Sequence, residues 1–170
     1  MLVGPKYPFP YARDGLHLTN EGYEWLGEYY AKAYATQVLE GRRWEPLRPL
    51  EITRSGPQIV ARFAVPSSPL VLDTEHVTDP GDLGFEVVDG GGVRVAIQSV
   101  EVTAPDTVTL TIDGPASGDL RLRYAYTGTP GQVGGPVTGP RGNLRDSDPT
   151  RSRSGRPLHN WCVHFDEPVR

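Results

Sequence analysis

Two periodicities divide the chain. Between Thr19 and Gly41 apolar side chains recur every three to four positions, at Tyr23, Leu26, Tyr30, Ala33, Tyr34 and Val38. This spacing predicts one helix over 19–40 with an apolar stripe along it. Thr19 is placed to cap its N-terminus, Glu21 adds an acid where the helix dipole favours one, and Gly41 followed by Arg42 and Arg43 marks its end. Trp25 and Tyr29 lie on another side, so this helix needs cover from more than one direction. After "WEPLRPL", a proline-bounded linker, the period falls to two. "EITRSGPQIVARFAV" predicts two strands joined by a tight turn at Ser55-Gly56, "SPLVLDT" a short strand, and "GFEVVD" another after the turn at Pro80-Gly81. "VRVAIQSVEVTA", "DTVTLTI" and "DLRLRYAYTG" are the clearest. Val108, Leu110 and Ile112 oppose Thr107, Thr109 and Thr111, while Leu120, Leu122, Tyr124 and Tyr126 alternate with Arg121, Arg123 and Ala125. Half-buried antiparallel strands at this spacing predict a mainly β fold, a sandwich preceded by one α-helix.

The order of these strand motifs over roughly residues 50–128 resembles bacterial immunoglobulin-like modules, which implies a β-sandwich of immunoglobulin-like type. Before the helix, "MLVGPKYPFPYARDG" has three prolines and no period, so it is expected to be an extended loop. Beyond residue 128 glycine and proline dominate, and 129–158 is expected to be a long loop. "NWCVHFDEP" then alternates Trp161, Val163 and Phe165, as a final strand would, so the end of the chain should be pinned.

Composition narrows the function. A net charge of −4 supplies no basic surface and excludes nucleic acid as a main partner. The longest apolar runs are too short to span a bilayer, and no signal-type segment follows Met1. Cys162 is alone, so neither an internal disulfide nor a cysteine metal cluster is available, and no cofactor or metal is expected. Twenty glycines and seventeen prolines fit a β protein with many turns.

The chemistry lies ahead of the helix, where Asp14 and His17 stand three positions apart in "ARDGLHLTNEGYEWLGEYYAKAYA". "DGLHLTNEGYEWLGEYYA" resembles the last conserved block of the SGNH/GDSL hydrolases, in which Asp-x-x-His precedes the final helix. The flanks "GPKY", "HLTNEGY" and "LGEYY" and the ending "GNLRDSD…NWCVHF" resemble the C-terminal parts of sialate O-acetylesterase-like enzymes, some of them borne by phages. The resemblance implies that Asp14 is the orienting acid and His17 the general base for a serine attacking an ester. It also implies that residues 1–45 are the remnant of a catalytic domain and 46–170 an accessory β-domain. The Gly-Asp-Ser block of that family, its oxyanion-hole blocks and its parallel sheet have no counterpart in these residues.

Two functions follow. The first is the C-terminal portion of an SGNH-type carbohydrate O-acetylesterase, inactive alone and completed by an N-terminal catalytic segment or a partner chain packing on helix 19–40. The second is a non-catalytic structural or glycan-binding subunit, a phage-particle decoration or fibre-associated protein. A polysaccharide and a second copy of the chain are the other expected partners, and a soluble protein at a virion or cell surface is the expected setting. Ser147 in "RDSDPT" is read as no substitute nucleophile, with Asp146 and Asp148 making turn hydrogen bonds or loosely holding a cation. His76, among Asp73, Glu75, Asp79 and Asp82, reads as part of a solvated acidic loop, and His159 and His164 as packing and surface residues.

Overall fold

The computed structural model describes residues 1–113, 118–128 and 131–170. The helix α1, Asn20–Tyr34, starts where the sequence places it: the Thr19 side chain accepts the Gly22 N–H, and a π-helical turn, Ala35–Leu39, extends α1 to the end expected. Its buried face is not the expected stripe. Gly22, Tyr29 and Ala33 are buried, with Trp25 and Leu26 partly so, while Tyr23, Tyr30, Tyr34 and Val38 are about half exposed. The reason is polar anchoring. Tyr29 OH donates to His159 O at 2.7 Å and Trp25 Nε1 to Pro157 O at 3.1 Å, which turns those rings toward the C-terminal segment.

The strands are β1 Arg48–Ser55, β2 Gln58–Ala64, β3 Val71–Leu72, β4 Phe85–Asp89, β5 Arg94–Val95, β6 Ile97–Ala104, β7 Thr107–Ile112, β8 Leu120–Tyr124, β9 Leu144–Arg145 and β10 Phe165–Val169. One sheet runs β1-β2-β7-β6 and the other β10-β8-β4-β5, with every pairing antiparallel, and β3 pairs with β9 apart from both. This is the neighbour order of a Greek-key sandwich. The sheets meet at one corner, where Arg54 N donates to Arg170 O and Arg170 N to Ile52 O. The protein is therefore mainly β, a sandwich behind one N-terminal helix.

Between the sheets lie Ile59, Ala61, Phe63, Val87, Val108, Leu110, Ile112, Leu122 and Tyr124, the inward residues of each strand's period of two. The alternation read in β7 holds, but that of β8 stops early. Ala125 adopts a left-handed backbone (φ 50°) and donates its N–H to Gly84 O, so Tyr126 leaves the buried face and is half exposed. The expected strand 93–104 is divided at Ala96 into β5 and β6, each in a different sheet. The expected linker is part of the core: Leu47 is fully buried, Trp44 nearly so, and β1 begins inside it at Arg48. The final strand begins at Phe165, after a buried irregular run through Trp161, Cys162 and Val163.

The N-terminal loop is irregular as expected, yet it is anchored on two sides. Tyr7 reaches the sandwich core, where its hydroxyl donates to Cys162 O at 2.8 Å and receives that of Tyr124 at 3.2 Å. Burial, chiefly, pushes both phenols up, so they stay neutral. Phe9 packs edge-on against Trp25 and Tyr29 in a second cluster with Leu18 and Leu158. Of the expected loop 129–158, residues 129–130 lie outside the described residues. The rest is largely irregular, broken by β9, and crosses the core at Leu144.

Two glycines test this packing with opposite signs. A Cβ on Gly142 would overlap the Tyr124 ring, which is held by its bonds to Tyr7 and to the Leu144 N–H. Gly142→Ala is expected to cost about 2 kcal/mol in a urea unfolding curve. Gly27, mid-helix with nothing within 4 Å of its Cβ position, is the converse. Gly27→Ala should stabilise the chain by roughly 0.5–1 kcal/mol in the same assay.

Candidate functional site

Residues 10–19 form a small closed loop ahead of α1. Ala12 N donates to His17 O, Thr19 N to Pro10 O and Gly15 N to Ala12 O, all at 2.8 to 3.0 Å, and Tyr11 bridges to Leu18. At the tip, Asp14 Oδ1 accepts the N–H groups of Leu16 and His17, each at 3.0 Å, and Oδ2 accepts His17 Nδ1 at 2.8 Å. Gly15 sits at φ +71°, a conformation that opens this turn and that a side chain strains. The two expected site residues are thus brought together.

The hydrogen bond from the His17 side chain, and after it the backbone N–H groups of His17 and Leu16, hold the Asp14 carboxyl down at about 2. An ionised carboxylate only accepts hydrogen bonds, so the neutral His17 ring carries its proton on Nδ1 and presents a bare Nε2. The His17 side chain is 62% exposed. A base whose tautomer is fixed by a carboxylate and whose free nitrogen meets solvent is equipped to take a proton from a hydroxyl.

Ser147 does not join this pair. Its hydroxyl donates to Pro69 O at 2.7 Å and its N–H to Ser67 O. Asp146 and Asp148 are engaged by protein donors. Asp146, fully buried, accepts four N–H bonds from Ser67, Asp148 and Asn160, and Asp148 pairs with Lys32 at 2.7 Å. Among the described residues no group of three or more His, Cys, Asp or Glu is placed to hold a metal. A trough of about 530 Å³ opens beside Lys32, Trp44, Glu45, Asp148 and Asn160, and neither Asp14 nor His17 lines it.

The acidic loop around His76 is not simply solvated. Asp73 is buried and repeats the turn of Asp14: Oδ1 accepts the N–H groups of Glu75 and His76, and Oδ2 accepts His76 Nδ1 at 2.9 Å. Arg145 Nε adds a bond at 2.5 Å to the same carboxylate. His76 also lies edge-on to His159, ring centroids 6.1 Å apart. The motif Asp73-Thr-Glu-His76 was the signal that could have found this second turn.

No family model matches the chain, and no curated protein does. Solved structures do. The carbohydrate acetylesterase XAC1771 from Xanthomonas citri is 18% identical with a TM-score of 0.52, over 88% of this chain and 28% of that one. The N-terminal part of the bacterial S-layer protein SbsC is 12% identical with a TM-score of 0.46, over 91% of this chain and 29% of that one. The chain therefore spans less than a third of either. The likeness to XAC1771 is a likeness of fold.

Asp73 links this region to acid stability. Burial pushes its carboxyl up, but the His76 N–H, the Arg145 guanidinium and the His76 charge outweigh burial and hold it at about 2, below its unfolded value of 3.8. Its stabilisation is therefore present in full above about pH 4 and is lost as pH falls toward 2. Urea midpoints measured from pH 6 to pH 2 should fall mostly below pH 4. Asp73→Asn should lower the midpoint at pH 6 and flatten that fall.

Proposed function

We propose that this chain is the C-terminal part of a carbohydrate O-acetylesterase of SGNH type, contributing its acid–base pair. The observation that carries this reading is the Asp14–His17 pair, preorganised with a bare, exposed Nε2 immediately ahead of α1. The fold shared with XAC1771, a carbohydrate acetylesterase, supports it. A serine supplied by a segment outside these 170 residues would lie against Nε2. Its oxygen attacks the acetyl carbon while Nε2 takes its proton, and the imidazolium is stabilised by Asp14. The same proton then passes to the departing sugar oxygen, leaving an acetyl-serine. Water, deprotonated by Nε2 in turn, releases acetate and restores the serine. The segment carrying the serine would also cover the exposed row Tyr23, Tyr30 and Tyr34.

The test begins with the native polypeptide from its source, taken for intact mass and for acetate release from O-acetylated oligosaccharides. The expected enzyme has a serine-bearing segment or chain joined to this one, and His17→Ala lowers its kcat by roughly 10²–10⁴-fold. Asp14→Asn, which removes the charge that selects the tautomer, should lower kcat about as much. The 18.6 kDa chain by itself should release no acetate. Hydrolysis that survives His17→Ala would end this reading, as would a native protein of 18.6 kDa with no serine-bearing chain bound, and a structural or glycan-binding role would then stand.

A further inference from the structure

Gly15, the residue between Asp14 and Leu16 at the tip of the turn, faces a side chain from the other end of the chain. A Cβ built on Gly15 would lie 3.4 Å from Val133 Cγ2 and 3.5 Å from Cγ1. Val133 belongs to the glycine- and proline-rich segment 131–139, and that segment is held firmly. Thr138 Oγ1 donates to Val133 O at 2.6 Å, Gly139 N donates to the Gln132 side chain, and Arg141 Nη1 donates to Gly139 O. Two bonds fasten it to the sandwich, Thr78 N to Pro136 O and Arg141 Nε to Thr78 O.

Tyr11 completes the arrangement. Its ring lies against the backbone of Gly134 and Gly135, and a Cβ on Gly134 would come within 3.0 Å of it. Tyr11 also bridges to Leu18 across the base of the loop that carries Asp14 and His17. Segment 131–139 thus meets the loop at its base, where Gly134 lies against the Tyr11 ring, and faces its tip, where Val133 stands over the side of Gly15 that a Cβ would occupy.

We propose that Val133 is a positioning residue for the Asp14–His17 pair: segment 131–139 is the wall that keeps the Asp14-Gly15-Leu16-His17 turn closed. This rests on the catalytic reading for its purpose, though not for its test. The pair is exposed and its hydrogen bonds are made inside four residues, so water competes for each of them. An apolar side chain packed on the tip disfavours the opened turn, because opening would expose it. The β-domain thereby acts on the chemistry without touching substrate.

The experiment uses the 170-residue chain with Val133→Ala, which trims the contact and leaves the backbone alone, and Val133→Thr, which keeps the branched shape. Amide exchange at Leu16 and His17 should speed up about fivefold or more in Val133→Ala, with β7 and β8 unchanged. The Asp14 carboxyl, titrated by NMR, should rise from about 2. The ring nitrogen shifts of His17 should show a loss of the Nδ1–H tautomer, and Val133→Thr should retain all three wild-type values. Unchanged exchange and an unchanged Asp14 titration in Val133→Ala would overturn the proposal. So would faster exchange spread over β7 and β8, which would make Val133 a residue of general stability. None of these readings needs ester hydrolysis, so failure of the esterase reading on His17→Ala would be seen separately.

Discussion

The buried carboxylate of Asp146 is the constraint on which the join between helix and sandwich depends. With no exposed surface it must be fully satisfied, and it is: Ser67 N, Asp148 N, Asn160 N and Asn160 Nδ2 all donate to it, at 2.6 to 3.2 Å. Those four donors come from the loop after β2, from its own segment and from the irregular run ahead of β10. Asn160 then accepts Lys32 through its Oδ1, and Lys32 also reaches Leu158 O at 2.6 Å and Asp148 at 2.7 Å. One chain of bonds therefore runs from the sandwich to the last turn of α1. A network this buried fixes orientation, because any shift of the helix would leave a charge unpaired in low dielectric. The loop holding Asp14 and His17 leads directly into α1 and inherits that orientation.

The two Asp-x-x-His turns compare closely. At 14–17 and at 73–76 one carboxylate oxygen takes two successive backbone N–H groups and the other takes Nδ1 of the histidine. The geometry is therefore a property of the spacing, as in other Asx turns. The surroundings differ. Asp73 is buried and bonded by Arg145, and its backbone is clasped by Asn143, which donates to the carbonyls of Asp73 and Val77. That carboxylate closes a loop onto β9. Asp14 is half exposed, and among the described residues its side-chain partner is His17. Spacing alone thus does not distinguish the two turns; what differs is the burial of the carboxylate, with Asp73 buried and Asp14 half exposed.

Local signals are legible in the sequence and distant ones are not. The Thr19 cap, the turn at Ser55-Gly56 and the alternation in β7 depend on neighbours along the chain, and each is legible in a short window. The Asp14–His17 turn is of the same kind. The buried face of α1 is not, because Trp25 and Tyr29 turn inward to meet carbonyls of Pro157 and His159, more than 120 residues away. A period of two cannot announce the left-handed backbone of Ala125, which takes Tyr126 off the buried face. The burial of Asp73 and Asp146 is illegible for a related reason: an acid reads as solvated until the N–H groups that satisfy it are known.

What the fold leaves uncovered on α1 bears on the proposed esterase. Tyr23, Gly27, Tyr30 and Tyr34 are spaced four, three and four apart and so share one face, rotated away from the buried side of Gly22, Leu26, Tyr29 and Ala33. A glycine inside a helix costs stability, and no packing among the described residues explains Gly27, whose Cβ position is open. Between two exposed tyrosines it leaves bare backbone, the shape that lets another element approach closely. The opposite side of α1 is filled by the 157–160 segment and by Phe9. The tyrosine face is thus the side of α1 on which a further element could bury apolar surface, at Tyr23, Tyr30 and Tyr34, and approach the backbone at Gly27.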